Sequence, residues 1–361
     1  MIPRLTGGGM ERRMGLIATG MASRGYNVHA AYLDKGENAD DVELNGVTLH
    51  EIKAANNYDI FMFIRLLLLV RKEKPDIIQT WSAQMDILGA IIVRLVKARW
   101  IMMEPSSIAD CADVTWKVKL KCRLAKYATV VSNSLAGDMY WRDKTTCGHR
   151  VIRNGQQVQR VLDAPTLNRA DMPVSNRDLI LLYVGRLNIT AVYQKNFQAC
   201  LDVVCRLSSR IPPVKLLVCG DGSERGFWEK RVSAAGLENK VAFLGYLKRE
   251  DVWGIMKIAN ALLSVSFFEG CPNVVQEAML CKCPIIVSDI PEHREILTEE
   301  EALLVNPRSP MEVSRAVEEL LSDEKRTAER AARAFMRANQ WTVEQMLDQY
   351  EELYLDLVKP G

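Results

Sequence analysis

Short apolar segments alternate with longer amphipathic segments along almost the whole chain, and this alternation constrains the fold more than any other feature. The apolar runs 179–184 and 214–219 have the length of buried strands, and the segment 75–81 reads as a strand after a turn. Segments with helical spacing, such as 60–72 and 85–96, lie between runs of this kind. Strands that alternate with helices in this way are typical of βαβ units. The sequence therefore predicts an α/β protein with parallel sheets.

The chain of 361 residues is long enough for two domains, each with its own core. The polar segment 165–177 contains two prolines and is interpreted as the linker between them. We therefore predict an N-terminal domain over 1–164 and a C-terminal domain over 178–340. An amphipathic helix is predicted in the remaining segment, 341–361.

Composition narrows the class of protein. The net charge of +2 gives no reason to expect a nucleic acid partner. The nine cysteines follow no metal-ligand spacing apart from Cys281 and Cys283, which lack a second pair nearby. Free thiols fit a reducing compartment. The longest apolar runs are far shorter than the ~20 residues that span a bilayer. We expect a cytoplasmic protein, either soluble or peripheral on the inner face of the membrane.

Residues 261–280 combine a predicted strand, a tight turn and a helix. Pro272 suits the first turn of a helix, because its missing N–H has no partner there. The helix N-terminus offers N–H groups and a partial positive charge, which suit a phosphate. Glu269 lies on the turn, and Glu277 lies ~6 Å along the helix axis from Asn273. This is the reach from a nucleotide phosphate to its ribose. The alternative is a surface junction with two solvated glutamates.

Two basic residues follow the predicted strand 179–184. Arg186 offers a planar fork and Lys195 a point charge, so both could face a diphosphate and balance the charge on a departing nucleotide. The alternative is a strand-end arginine and a surface lysine without a shared role.

Glycine-rich turns occur in both halves. Gly220 and Gly222 follow the strand 214–219 and would let a ring or phosphate approach the backbone. Arg225 stands where a Gly-x-Gly-x-x-Gly fingerprint needs its last glycine, which disfavours dinucleotide binding and an NAD dehydrogenase. The glycines at 7–9 offer a second close approach, or a flexible N-terminus.

These motifs together resemble the retaining glycosyltransferases of the GT-B fold, specifically family 4. Glu269 and Glu277 match the E-x7-E signature of that family, in a setting with the same accompanying residues: Gly270, Pro272, Asn273, Ala278 and Met279. The loop residues Gly8, Gly9, Glu11 and Arg12 and the sequence Gly185-Arg186-Leu187 with Lys195 are also in register.

The resemblance implies two Rossmann-like domains facing a cleft, with the last helix crossing back to the N-terminal domain. It implies transfer of a hexose or N-acetylhexosamine, with retention, from a nucleotide-sugar to a glycan or lipid-linked acceptor in polysaccharide biosynthesis. UDP is expected from family frequency. The implied catalytic residues are Glu269, Arg186 and Lys195. The implied donor-binding residues are Gly8, Gly9, Gly185, Gly220, Gly222, Tyr246, Gly270, Cys271, Asn273, Val274 and Glu277.

The chain departs from the family pattern at two points. Only Met1 to Pro3 precede the first glycine loop as a candidate strand, so we expect that the natural start lies upstream. Glu104-Pro105-Ser106 stands where relatives often have arginine or histidine, which leaves the acceptor side open.

No cofactor is expected. The sequence lacks an Asp-x-Asp metal motif, and the adjacent pair Asp40-Asp41 reads as a surface loop. Basic side chains and the helix end would replace a metal ion, so we expect metal-independent transfer with Glu277 on the ribose and Glu269 on the sugar.

A basic segment, 116–126, carries Trp116 beside a set of cations: Lys117, Lys119, Lys121, Arg123 and Lys126. Such clusters are often solvated helix faces. The functional alternative is attraction to an anionic membrane surface, worth about 1 kcal/mol per basic residue near the lipid.

Two rival functions share much of this pattern. A nucleotide-sugar epimerase of the same fold would convert the donor without an acceptor. A non-catalytic subunit would bind the nucleotide-sugar without product. Turnover measurements separate these alternatives.

Overall fold

The structure is a computed structural model that describes residues 1–5, 8–36, 44–56, 59–104 and 116–359. The side chains of residues 190 and 191 are likewise left undescribed. The predicted loop at Asp40-Asp41 and the positions Pro105 and Ser106 lie outside the described residues.

The alternation expected from the sequence is present. The first part of the chain contains β1 (Ile2–Leu5), α1 (Gly9–Ser23), β2 (His29–Lys35), β3 (Thr48–Glu51), α2 (Ile60–Glu73), β4 (Ile77–Trp81), α3 (Ala83–Leu95), β5 (Arg99–Glu104), α4 (Trp116–Ala125), β6 (Thr129–Ser132), α5 (Leu135–Trp141) and β7 (His149–Val151).

The second part continues with α6 (Val158–Asp163), β8 (Leu179–Val184), α7 (Ile189–Gln194), α8 (Phe197–Arg206), β9 (Val214–Cys219), α9 (Arg225–Ala234), β10 (Val241–Gly245), α10 (Arg249–Met256), β11 (Ala261–Ser264), α11 (Asn273–Leu280), β12 (Ile285–Ser288), α12 (Pro291–Arg294), β13 (Leu303–Val305), α13 (Pro310–Ser322), α14 (Glu324–Ala338) and α15 (Val343–Val358). The paired strands are parallel in both parts, so the α/β prediction is confirmed.

The chain divides into two compact units. The first unit contains Met1–Gly155 and Val343–Gly361, and the second contains Gln156–Thr342. The second unit has a sheet with the strand order β10-β9-β8-β11-β12-β13. Alternate residues of β8 point to opposite faces: Leu181 and Tyr183 enter one core, while Ile180 and Leu182 enter the other. Helices cover both faces, which explains why β8 is apolar throughout.

Two parallel sheets form the first unit, with the orders β1-β2-β3 and β4-β5-β6-β7. The Met1 ammonium donates to the Gln79 carbonyl (2.7 Å), and the Trp81 N–H donates to the Met1 carbonyl (3.0 Å). The strand β1 therefore runs beside both β2 and β4. A cavity of about 380 Å³ lies below it, lined by residues of β2, β4, α1 and α15.

The last helix, α15, belongs to the first unit, as predicted. Its residues Met346, Leu347 and Tyr350 are buried in the same core as residues of α1 and β1. The buried guanidinium of Arg13 donates to the Tyr350 hydroxyl (2.6 Å) and to the Ile152 carbonyl (2.7 Å). Burial of this apolar face is the physical reason that the helix joins the N-terminal part.

The bounds of the compact units differ from the predicted domains. The predicted boundary at residue 164 lies inside the second unit, because α6 buries Val161 and Ala164 in its core. The predicted linker 165–177 also packs there: Leu167 contacts that core, and Arg169 donates to the Asp178 carbonyl. Polar composition alone could not reveal this packing.

Candidate active site

The candidate site lies where the strand order of the second unit reverses direction. From β8 the chain proceeds outward through β9 and β10, and it then returns to add β11 on the other side of β8. Open α/β sheets bind ligands beyond the carboxyl ends of the strands at such a switch point. The segment after β8 carries Gly185, Arg186 and Lys195, and the loop after β11 carries Glu269. The fold thus brings these residues to one edge of the sheet.

Glu269 is a buried carboxylate with fixed partners. Its Oε1 accepts from Lys195 Nζ (2.8 Å) and from Ser266 Oγ (2.6 Å), and the residue is 5% exposed. Burial by itself raises the pKa of the Glu269 carboxyl, but Lys195 and the hydrogen bonds hold this pKa below its usual value. The group is therefore ionised at neutral pH. The ion pair between Glu269 and Lys195 was not foreseen from the sequence, which placed both residues at one site without a contact between them.

Lys195 and Arg186 have different surroundings. The Lys195 side chain is 20% exposed and forms the ion pair with Glu269. Arg186 is exposed, and among the described residues its side chain has neither an ion pair nor a hydrogen bond. Arg186 can therefore meet an anion directly, whereas Lys195 must share its charge with Glu269.

Glu277 is also paired, through a residue that sequence reasoning missed. Arg249 Nη2 donates to Glu277 Oε1 (2.7 Å), and Glu277 is 7% exposed. The Arg249 guanidinium lies 4.8 Å from the centre of the Trp253 ring, which fixes its position. Arg249 begins α10 after the strand β10, and this location at the carboxyl edge of the sheet was the available signal.

The start of α11 agrees with the predicted strand, turn and helix. The helix begins at Asn273, so Pro272 occupies the N-cap instead of the first turn. Proline has no side-chain acceptor to satisfy the first N–H groups, and this end of the helix suits an anion. Gly270, Cys271 and Val274 lie on or beside this turn as predicted.

The packing of the chain itself requires glycine at positions 220 and 222. A Cβ at Gly220 would lie 1.9 Å from the Gly185 carbonyl oxygen, and one at Gly222 would lie 2.4 Å from the Leu187 carbonyl carbon. Leu187 N–H also donates to the Asp221 carbonyl (2.9 Å). These glycines therefore let the loops after β8 and β9 pack together. Close approach of a ligand to them stays a prediction.

His293 is a second residue that the sequence interpretation left without a role. It is completely buried, and its Nδ1 bonds the Ser288 carbonyl (2.9 Å), so Nδ1 carries the proton. Its Nε2 has no hydrogen-bond partner within the described residues. Burial lowers the pKa of His293, and the nearby Glu269 charge only partly opposes this. A neutral imidazole thus supports this edge of the sheet.

Three other predicted donor-binding residues lie on different elements. Tyr246 follows β10 and is 42% exposed. Gly8 and Gly9 lie at the N-cap and first residue of α1, in the first unit. Lys121 was predicted as part of a basic surface, which is wrong: the residue is buried between Asp86 (3.0 Å) and Glu104 (2.8 Å).

Comparison with known proteins defines the family. A model described as "Glycosyl transferases group 1" matches residues 166–337, and one described as "Glycosyltransferase Family 4" matches residues 7–103. The first match contains Glu269, Arg186 and Lys195, and the second contains the glycine loop with Gly8 and Gly9. The chain belongs to the GT-B glycosyltransferases of the family 4 type.

Individual relatives have low sequence identity to this chain. The chain is 28% identical over 158 residues to alpha-D-kanosaminyltransferase of Streptomyces kanamyceticus, covering 42% of this chain and 40% of the relative. It is 25% identical over 250 residues to the UDP-Gal:alpha-D-GlcNAc-diphosphoundecaprenol alpha-1,3-galactosyltransferase of Escherichia coli, covering 64% of this chain and 62% of the relative. Each match spans less than two thirds of the relative's own length.

Solved structures establish the fold. HepE of Anabaena, in complex with UDP-glucose, has a TM-score of 0.83 at 18% identity and covers 98% of this chain and 99% of its own. This likeness confirms the predicted GT-B fold. Within the described ranges, every helix is too short or too polar to cross a lipid bilayer.

Proposed function

We propose that this protein transfers a hexose or N-acetylhexosamine from a UDP-sugar to a glycan or lipid-linked acceptor in polysaccharide biosynthesis, with retention at the anomeric carbon. The observation that carries the proposal is the Lys195–Glu269 ion pair beside exposed Arg186 at the switch point of the second sheet. The names of the Escherichia coli relative and of the HepE complex, which include UDP-sugars, support the choice of donor.

The chemistry follows from the charges. As the bond between the anomeric carbon and the diphosphate oxygen breaks, negative charge grows on the diphosphate. Arg186, Lys195 and the first N–H groups of α11 stabilise this charge. The acceptor hydroxyl oxygen forms the new bond to the anomeric carbon on the same face, and its proton passes to the departing diphosphate oxygen. The same cations remove the need for a metal ion, and we propose metal-independent transfer.

The two carboxylates would hold the rest of the donor. The phosphates compete with Glu269 for Lys195, and Glu269 then accepts hydrogen bonds from sugar hydroxyls. Arg249 fixes Glu277 through Oε1. We assign the other oxygen of Glu277 to the ribose hydroxyls.

A donor panel tests this function. Purified protein is incubated with UDP-, GDP- and ADP-sugars and a lipid-linked glycan acceptor, with and without EDTA, and products are analysed by mass spectrometry and NMR. The proposal predicts an α-linked product from an α-linked UDP-sugar, at a rate that EDTA does not change. An altered donor sugar without acceptor transfer would indicate the epimerase. A rise in Tm with UDP-sugars but no product would indicate the binding subunit.

We also propose that the exposed part of α4 contacts an anionic membrane surface near the acceptor. Trp116 is 57% exposed, and Lys119, Arg123 and Lys126 are exposed beside it. Sedimentation with vesicles of neutral lipid, with and without anionic lipid, tests this contact. Replacement of Lys119 and Arg123 by serine should abolish binding, whereas Lys230→Ser in the second unit should not. Binding independent of anionic lipid would refute it.

A further inference from the structure

A second cluster of chemically active side chains lies in the first unit, whereas Glu269, Lys195 and Arg186 belong to the second. His50 on β3 is paired in parallel register with Ala31 on β2. Side chains two residues apart on a strand share a face, so His29 and His50 project from the same face of the sheet. The helix α2 packs over this face through Leu66 and Val70 and ends at Glu73. Two imidazoles and one carboxylate, each from a different element, therefore lie close together.

The distances are close to those of a metal site. His29 Nδ1 lies 2.9 Å from His50 Nε2, and His29 Nε2 lies 3.9 Å from Glu73 Oε2. One ligand atom from each of the three residues lies within 4.8 Å of the other two. Zinc–nitrogen bonds of about 2.0–2.1 Å in tetrahedral geometry separate two ligand atoms by roughly 3.3 Å. The two His29 distances above involve different nitrogens of one ring, and a ring binds a given ion through only one of them. Binding therefore requires the side chains to rotate until one ligand atom of each residue faces the ion.

The cluster is sheltered and incompletely satisfied. The side chains of His29 and Glu73 are each 22% exposed, and the two imidazole rings stack with their centres 5.2 Å apart. The buried His29 Nε2 has no hydrogen-bond partner among the residues that the structure describes. Buried polar atoms usually have a partner, so this one indicates a missing ligand.

The charge of the cluster also suits a cation. Glu73 supplies one carboxylate, and metal ions bind carboxylates and neutral imidazoles. Lys72 Nζ lies 3.2 Å from Glu73 Oε1, but the lysine side chain is 79% exposed and can move into solvent.

We infer that His29, His50 and Glu73 form a binding site for Zn²⁺. Two imidazoles and one carboxylate are borderline ligands that favour this ion over Mg²⁺ or Ca²⁺, which prefer sets of oxygen ligands. Three protein ligands leave a fourth position for water. The ion would tie β2, β3 and the end of α2 together, and this role does not depend on the proposed sugar transfer.

The test uses the full chain stripped of metal with a chelator that is then removed by dialysis. Zn²⁺ is titrated against a chromophoric competitor, and Tm is measured with and without Zn²⁺. We expect one Zn²⁺ per chain and a higher Tm. His50→Ala and Glu73→Gln should each weaken binding at least tenfold. His149→Ala is the matched control, because His149 pairs with Asp138 elsewhere in the same unit and should have no effect.

Cobalt substitution distinguishes the loss of the metal site from the misfolding of a variant. Co²⁺ bound by the wild-type protein should give the visible absorption of a tetrahedral site, and the Glu73→Gln variant should lose this band while keeping the far-UV circular dichroism of a folded chain. Wild-type protein that fails to bind Zn²⁺ at micromolar concentration would overturn the inference. Equal Zn²⁺ affinity in the wild type, His50→Ala and Glu73→Gln would overturn it as well.

Discussion

Two buried lysine–carboxylate clusters, one in each compact unit, differ in how far they are closed. In the first unit, Lys121 lies between Asp86 (3.0 Å) and Glu104 (2.8 Å), and its side chain is 6% exposed. In the second unit, Lys195 forms an ion pair with one described carboxylate, that of Glu269, and its side chain is 20% exposed. Lys121 is therefore enclosed with both of its partners and has a purely structural role. Lys195 has an exposed part of its side chain that a ligand can contact.

This comparison separates structural charge from functional charge. A lysine between two carboxylates gains nothing from an incoming anion, because both of its partners would be left buried without a cation. Under the proposed function, Lys195 would give up one partner when a phosphate arrives, and exposed Arg186 would add a second cation. The candidate site is distinguished by the exposure of its lysine and by the smaller number of carboxylates paired with that lysine. The presence of an ion pair alone does not distinguish it.

The largest expected effect is on stability, at the closed cluster. Lys121→Met leaves two buried carboxylates without their cation and should lower the free energy of unfolding by about 3–5 kcal/mol. Lys195→Met should cost less, because it leaves one buried carboxylate without its cation instead of two, and Ser266 still donates to that carboxylate. Urea denaturation of both variants, with exposed Lys230→Met as the control, measures the difference. Equal losses in the free energy of unfolding for the Lys121 and Lys195 variants would contradict the distinction between the two clusters.

The next effect is on turnover, at the open cluster. Arg186→Ala removes an exposed cation that we assign to the departing diphosphate, so kcat should fall by about 10²–10³-fold. The Tm should stay unchanged, because Arg186 has no buried partner. Arg206→Ala, an exposed arginine at the end of α8, should leave both quantities unchanged. Near-normal turnover of the Arg186 variant would remove this residue from the mechanism.

A smaller effect concerns the loops that shape the open cluster. Gly222→Ala directs a methyl group to 2.4 Å from the Leu187 carbonyl carbon, so the loops must separate, at a cost of about 1–3 kcal/mol. Gly226→Ala in α9 is the matched control, because nothing lies within 4 Å of its added Cβ. That control should be neutral or stabilising by about 0.5–1 kcal/mol. Thermal denaturation compares the two, and a Gly222 variant as stable as the Gly226 variant would show that the packing is not tight.

The smallest effect is a pH dependence that has opposite sign in the two clusters. Burial raises the pKa of Asp86 from 3.8 to about 6, and the Glu104 charge adds to this rise, although Lys121 and Thr80 partly oppose it. Between these pH values the folded state holds a proton that the unfolded state has lost, so stability falls as pH rises through this window. Glu269 has a lowered pKa, so its contribution is present above pH 4.5 and is lost as pH falls through the folded pKa.

Single substitutions isolate these two contributions. Asp86→Asn should remove the decrease in stability between pH 3.8 and about 6, and Glu269→Gln should remove the loss below pH 4.5. Chemical denaturation across this range, with the wild type as reference, gives both slopes. An unchanged pH profile in both variants would contradict the pKa directions.

Local patterns in the sequence predicted much of this molecule. The strands 179–184, 214–219 and 241–245 have the predicted bounds, because continuous apolar runs identify strands that are buried on both faces. Glu269 and Glu277 could be found for a similar reason: their spacing, their turn and their helix all lie within one short segment.

Contacts between distant segments could not be predicted. The basic segment 116–126 reads as a solvated helix face, because the partners that bury Lys121 are 35 and 17 residues away, at Asp86 and Glu104. Arg249 pairs with Glu277 across 28 residues, and this pairing depends on the strand order. The sequence thus indicates which residues carry charge, and the fold decides which charges remain open.

The most direct test of the central claim is a calorimetric titration of UDP into the wild type, Lys195→Ala and Glu269→Gln. If a phosphate replaces Glu269 as the partner of Lys195, Lys195→Ala should weaken UDP binding at least tenfold. Glu269→Gln should tighten binding, because it removes the competing carboxylate. Opposite shifts in Kd are the predicted result. Wild-type affinity in both variants would contradict the assignment of the donor diphosphate to this cluster.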